Sequence, residues 1–306
     1  MAFFQSTQND DKPINIYYED LGTGKPVVFI HGWPLNGNMW EYQVTSLTHY
    51  GLRCITYDRR GFGKSDRPIG DYDYEALAGD LKGLLDELDL SDVTLVGFSM
   101  GGGEIAKYFS LYGGARVSKV VLVSAVVPYM LQTEDNPEGV PQEVFNKITD
   151  GIIDDRPAFM ESFAKDFFGV SMLNHPVSAA FLANNLTQVM NSSPIATLEC
   201  ARAFSSTDFR RDVLTINVPT LIIHGDSDKT VPIKATGEQS ARLINGARYI
   251  VYEGAPHGLW YTDKQKLNRD LIDFIEGYET VDNNEVEREV ADDESIDTSS
   301  FSSPIR

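Results

Sequence analysis

Apolar residues recur along this chain in two rhythms. Short runs that are apolar throughout, or that alternate, read as strands at residues 14–19, 27–30, 53–57, 93–96, 119–124, 219–224 and 248–252. Longer stretches with apolar residues three and four apart read as helices at 40–50, 74–88, 104–112 and 264–277. In the second of these, Leu77, Leu81, Leu84, Leu85 and Leu88 form one buried stripe. The run 27–30 is continuously apolar, as in a strand covered on both faces of a parallel sheet, whereas 14–19 alternates like an edge strand. Strands alternating with helices predict an α/β fold with a mostly parallel central sheet and helices on both faces. Residues 127–212 break the rhythm with four predicted helices (142–153, 157–168, 178–190 and 195–204) and no strand. They read as a helical cap inserted over the carboxyl edge of the sheet. The predicted core is thus 1–126 with 213–278.

The pattern also locates chemistry. The strand at 93–96 runs into Gly97-Phe98-Ser99-Met100-Gly101 and then into a helix, the layout of a nucleophile elbow. An ordinary turn also satisfies so short a pattern, so partners have to decide, because a serine hydroxyl needs a base, and the base a carboxylate to orient it. Asp228 lies in the loop after the 219–224 strand and His257 in the loop after the last strand, so acid and base follow the serine in order. Asp226 is the competing acid. The loop after the 27–30 strand, His31-Gly32-Trp33-Pro34, lies where ligands bind in open α/β sheets, and makes the backbone N–H of Trp33 an oxyanion donor beside that of Met100. Trp33, Phe98 and Phe163 are the expected substrate-contacting side chains. The other apolar cap residues, Phe145, Phe159, Met160, Phe167, Phe168 and Phe181, either line a pocket or pack the cap, and packing is the better reading for any one of them. Of the remaining histidines, His31 is expected to brace the oxyanion loop and His224 to end a buried strand.

Composition narrows the classes. The chain has 306 residues and is 42% hydrophobic, without a run of about 18 apolar residues that would span a bilayer. No secretory signal is visible, and a cytoplasmic location is expected. The net charge of −19 argues against nucleic acid as a partner. Residues 279–306 hold nine acids against Arg288 and Arg306, and read as a disordered acidic tail. Cys54 and Cys200, the only two cysteines, are expected as reduced thiols, and the scattered histidines give no metal site. Asp58-Arg59-Arg60-Gly61-Phe62-Gly63-Lys64-Ser65 imitates a phosphate loop, but Asp58 stands where that motif needs its first glycine, so a structural loop of salt bridges and turns is expected.

Taken together, 29–34, 57–63, 97–103, 224–228 and 254–258 resemble the cofactor-free haloperoxidases and arylesterases of the α/β-hydrolase fold, over about residues 14–277. The resemblance implies Ser99 as nucleophile, His257 as base, Asp228 as acid, and Trp33 and Met100 as oxyanion donors. It implies small, often aromatic, esters or lactones as substrates, with neither metal nor other cofactor. Perhydrolysis is implied too: a carboxylic acid and hydrogen peroxide give a peracid, which oxidises halide in solution. Pro34 resembles members with pronounced perhydrolysis, and a cis Trp33-Pro34 bond would reshape the oxyanion loop. Phe98 stands where many relatives carry histidine. Another acyl or carbon–carbon bond hydrolase, or a non-catalytic small-ligand binder, would share this fold; Ser99 at the elbow disfavours the Asp-nucleophile dehalogenases and epoxide hydrolases. A homo-oligomer is compatible with the sequence, which does not specify one.

Overall fold

The structure, a computed structural model, describes residues 2–6 and 12–278. The expected acidic tail lies outside the described residues. The strands are β1 (Ala2–Ser6), β2 (Ile14–Leu21), β3 (Pro26–Ile30), β4 (Arg53–Tyr57), β5 (Val93–Phe98), β6 (Val117–Val123), β7 (Thr220–Gly225) and β8 (Arg248–Tyr252). They form one sheet in the order β1-β2-β4-β3-β5-β6-β7-β8. β1–β2 and β2–β4 pair antiparallel, and every other pair is parallel.

Helices α1 (Glu41–His49), α2 (Tyr74–Glu87) and α3 (Met100–Tyr112) alternate with the first strands. Between β6 and β7 lie α4 (Gln142–Phe167), α5 (Ala179–Met190), α6 (Pro194–Ser206) and the short α7 (Arg210–Val213). The chain closes with α8 (Gly237–Leu243), α9 (Leu259–Thr262) and α10 (Lys264–Glu276). Every residue of β5 and β7 is buried, which accounts for their mostly apolar sequences. α2 begins where the Asp73 carboxylate caps the Ala76 N–H, and it buries the predicted leucine stripe from Leu77 to Leu85.

The elements that escape the pattern reading are short. β1 is a five-residue edge strand that leaves Phe3 half-exposed, so its alternation is blunted. α8 is a polar helix of 7 residues, about two turns, too short for a hydrophobic period to mark. The two helices expected at 142–153 and 157–168 are both present along α4, separated at Asp155, whose backbone is not helical (φ −146°, ψ 84°). Pro157 cannot donate a helical hydrogen bond, and the Asp155 carboxylate restarts the helix by accepting the Ala158 N–H at 3.1 Å.

From β3 the chain steps to β4 on one side and then to β5 on the other. The crevice beyond the carboxyl ends of β3 and β5 is therefore a topological switch point, where open α/β sheets place their ligands. The loop from Asp58 to Ser65 beside it is structural. Asp58 accepts the Gly37 and Lys64 N–H groups, each at 2.8 Å, and Arg60 forks onto Asp80 at 2.6 and 2.7 Å with both side chains buried.

Removing one partner of such a pair strands a buried charge. Asp80→Asn is expected to cost about 3–5 kcal/mol, read as a lower urea midpoint at unchanged m-value, while Asp20→Asn, which breaks the exposed pair with Arg53, should cost under about 1 kcal/mol. Equal losses would mean that burial does not set the worth of these pairs.

Candidate active site

Ser99 sits at φ 53° and ψ −117°, between the end of β5 and the first residue of α3. An L-residue reaches this conformation only under constraint. Its N–H donates to the Val123 carbonyl at 2.9 Å, and its own carbonyl accepts the Gly102 and Val126 N–H groups at 3.0 and 3.1 Å. The flanking glycines are required by close approach: a Cβ on Gly101 would stand 2.7 Å from the Ile30 carbonyl oxygen, and one on Gly97 would stand 2.7 Å from Ile105 Cδ1.

His257 Nε2 lies 3.0 Å from Ser99 Oγ, and His257 Nδ1 lies 2.6 Å from Asp228 Oδ2. All three residues are buried. The other oxygen of Asp228 accepts the N–H groups of Thr230 and Val231 at 2.9 and 2.8 Å. Since the carboxylate takes the Nδ1 proton, the arrangement leaves Nε2 as the acceptor facing the serine hydroxyl. Burial alone would raise the Asp228 pKa. The charge of His257 and the hydrogen bonds from His224 and His257 outweigh it and hold the carboxyl far below its usual range. Asp226, the competing acid, is exposed and accepts the Gly254 N–H at 2.7 Å, tying the β7 loop to the β8 loop.

The loop after β3 lies beside the elbow. Trp33 precedes a cis bond to Pro34. Its indole N–H donates to the Thr197 carbonyl on α6 at 2.8 Å, and its ring meets Phe163 and Phe204 edge-on. Met100 is the first residue of α3, so its N–H belongs to the set that an α-helix leaves without an internal partner. His31 braces this loop: its Nε2 accepts the Arg59 N–H at 2.9 Å, its Nδ1 faces the Gly32 carbonyl at 2.9 Å, and burial together with Arg59 lowers its pKa well below the usual value.

Ser99 and His257 open into a cavity of about 40 Å³ whose other walls are almost wholly apolar, including Trp33, Phe145, Phe163, Phe167 and Phe204. Phe163 thus stands where it was expected. Phe98 does not. It is fully buried behind the site, 4.9 Å from the His257 ring and 6.0 Å from Phe167, and is absent from the cavity wall, so its expected substrate contact is corrected to a packing role. The cavity is closed by side chains of α4 and α6, from the segment between β6 and β7.

One neighbour of the site was invisible in sequence. His224 Nε2 lies 3.3 Å from Asp228 Oδ2 and 2.9 Å from the Val231 carbonyl, so Asp228 faces two imidazoles. The only available signal was a histidine at the end of a buried strand, four residues before the acid. Cys54 and Cys200 are free and buried, and burial pushes both thiols up to about 12. Among the described residues no group of three or more His, Cys, Asp and Glu side chains is gathered to hold a metal ion, and no helix is long and apolar enough to cross a membrane.

A family model described as the alpha/beta hydrolase fold matches residues 25–263. A non-heme chloroperoxidase, CPO-A1 of Kitasatospora aureofaciens, is 43% identical over 86% of this chain and 96% of its own length. The bifunctional esterase/perhydrolase DCH of Acinetobacter calcoaceticus is 37% identical over 86% and 96%. The crystal structure of a bromoperoxidase from Bacillus anthracis superimposes with a TM-score of 0.86 at 48% identity, covering 90% of this chain and 99% of that one.

The depressed Asp228 pKa has a definite sign. A carboxyl that folds with a pKa below its ordinary 3.8 adds stability above that value and loses the contribution as pH falls towards the lower one. The stability gap between the native protein and Asp228→Asn, measured by denaturant titration, should therefore be largest above about pH 5 and narrow through about pH 3. A gap that widens on acidification would contradict the assignment.

Proposed function

This chain belongs to the α/β-hydrolase fold family, alongside non-heme chloroperoxidases and an esterase/perhydrolase, and on that premise we propose that it is a serine hydrolase of small carboxylic esters with perhydrolase activity. The observation that carries this reading is the pair of contacts at His257, 3.0 Å to Ser99 Oγ and 2.6 Å to Asp228 Oδ2.

In the proposed reaction Ser99 Oγ attacks the ester carbonyl while its proton passes to His257 Nε2. Asp228 keeps the ring in the required tautomer and stabilises the imidazolium. The carbonyl oxygen becomes an oxyanion held by the backbone N–H groups of Trp33 and Met100, with the N-terminus of α3 adding a favourable field. Collapse of the tetrahedral intermediate breaks the ester C–O bond, His257 returns its proton to the departing alkoxide, and an acyl-Ser99 ester remains. Water then attacks with His257 as base, giving the carboxylic acid and free serine. With hydrogen peroxide as the attacking molecule the same step gives a peracid. A peracid oxidises halide in solution, reverting to the carboxylic acid as hypohalous acid forms. Every step on the protein uses its own side chains and backbone, with no cofactor or metal.

The cavity dimensions support small acyl groups. Its free volume of about 40 Å³ is a few times that of a single water-sized probe, and its wall offers aromatic and aliphatic carbon. Residues 127–212 act in this reading as the cap that excludes bulk water from the acyl-enzyme. The two unpaired buried thiols support a cytoplasmic setting. Small molecules are the proposed partners, without nucleic acid or membrane.

Hydrolysis of p-nitrophenyl acetate by Ser99→Ala is expected to fall at least about a thousandfold in kcat. The native protein given acetate and hydrogen peroxide should form peracetic acid, and Ser99→Ala should not. Unchanged hydrolysis in the variant would remove Ser99 from the reaction, and hydrolysis without peracid would leave a plain esterase.

A further inference from the structure

An ionised carboxylate offers about four lone-pair sites on its two oxygens, and the structure brings a donor to each site of Asp228. Oδ1 accepts the Thr230 and Val231 N–H groups at 2.9 and 2.8 Å. Oδ2 takes the Nδ1 proton of His257 at 2.6 Å and lies 3.3 Å from Nε2 of His224, a residue with no part in the reaction described above. Which proton His224 carries follows from its surroundings. The ring is fully buried near the end of β7. Its Nδ1 has no hydrogen-bond partner among the described residues, and α8 passes so close that a Cβ on Gly237 would stand 2.8 Å from it. Its Nε2 faces two oxygens, the Val231 carbonyl at 2.9 Å and the carboxylate. A single proton on Nδ1 would be buried unpaired and would turn the Nε2 lone pair onto both oxygens, whereas a proton on Nε2 is shared between them. Against the burial that would raise it, the His257 charge and then the His224 hydrogen bond lower the Asp228 pKa.

We propose that His224 is a positioning residue that sets the basicity of the triad: by taking up part of the Asp228 charge it weakens the carboxylate's hold on a proton at His257, so the base stays free at lower pH. The proposal rests on the serine-hydrolase reading and adds the control of its working pH. Without this donor Asp228 keeps both backbone N–H groups and the His257 ring, so it stays in place and more of its charge bears on His257 Nδ1. That ring is otherwise flanked by carbon, with Phe98 against it from β5 at 4.9 Å and Phe167 from α4 at 4.7 Å. The residues set beside His224, which are Gly237 of α8, Val251 of β8 and Ser124 just after β6, carry no charge. Among the described residues the ion pairs of Asp228 are those with His224 and His257, so a change at one imidazole is felt at the other through the carboxylate they share.

The test is the pH dependence of kcat/KM for p-nitrophenyl acetate, whose acid limb reports the ionisation of the free enzyme's base. His224→Leu should move that limb upward by about half a pH unit, so that well below it kcat/KM falls about threefold. The loss on the high-pH plateau should be smaller. His224→Gln places an amide nitrogen where Nε2 stands and should return the limb towards its native position. Should the leucine variant fail to fold, His224→Asn, whose amide ends short of the carboxylate, takes its place with the same expectation. A limb that stays put or moves down when the donor is removed overturns the proposal. So does a plateau loss common to the leucine and glutamine variants with an unmoved limb, the mark of a packing role, and so does a His224→Gln protein that does not fold, since that side chain keeps the donor. These results are distinct from hydrolysis persisting in Ser99→Ala, which would remove the serine mechanism itself.

Discussion

Arg59 brings a full charge into the core and ties together three segments that meet at the site. Its guanidinium donates to Glu104 on α3 and, at 2.7 Å, to the carbonyl of His31, while its backbone N–H donates to the His31 ring at 2.9 Å. Glu104 also accepts the Tyr57 hydroxyl at 2.6 Å from the end of β4. Both charged side chains are almost fully inaccessible to water. Such a pair gains little over apolar packing, because desolvation offsets most of the attraction. What it supplies is registry. The elbow helix, the loop carrying Trp33 and the end of β4 cannot shift independently without leaving a buried charge unpaired, and the site needs all three fixed to a few tenths of an ångström.

That registry holds a strained element in place. Ser99 at positive φ would relax if β5 and α3 could separate, and the close approach of Gly101 to the Ile30 carbonyl shows how little room they have. The strain faces the serine hydroxyl towards His257 and leaves the first N–H of α3 free at the same spot. Asp228 is fixed with similar redundancy, by two backbone N–H groups and two imidazoles, so the base it orients has one accessible tautomer.

Much of this could be read from the sequence where local pattern and tertiary structure make the same demand. The fully buried strands are mostly apolar, and the elbow glycines are dictated by backbone clearance within a few residues of Ser99. Asp228 and His257 were recognisable from their places after strands. The pattern was silent where a role is created by a contact across the fold. Nothing local to His224 points to Asp228, since the approach depends on how the loop after β7 turns back. Phe98 reads as a pocket residue because it adjoins Ser99, but alternation along β5 sends its side chain to the opposite face, behind His257. The break in α4 was legible from Pro157, where the second of the two expected helices begins.

The helical segment between β6 and β7 also holds parts of the site in position. The Trp33 indole is anchored on the Thr197 carbonyl, and Arg156, just after the break in α4, donates to the Thr197 hydroxyl at 3.3 Å and to the Ser192 carbonyl at 3.1 Å. At the other end of α4, the Phe167 carbonyl accepts the N–H of Gly258, the residue after His257, at 2.8 Å. Lifting this segment as a rigid body would therefore break the anchors of the Trp33 loop and of the His257 loop together. Side-chain motion within the segment avoids that cost. Aromatic rings on α4 can turn while the bonds that fix Trp33 and the His257 loop stay made, so the segment that walls the cavity also keeps the site assembled.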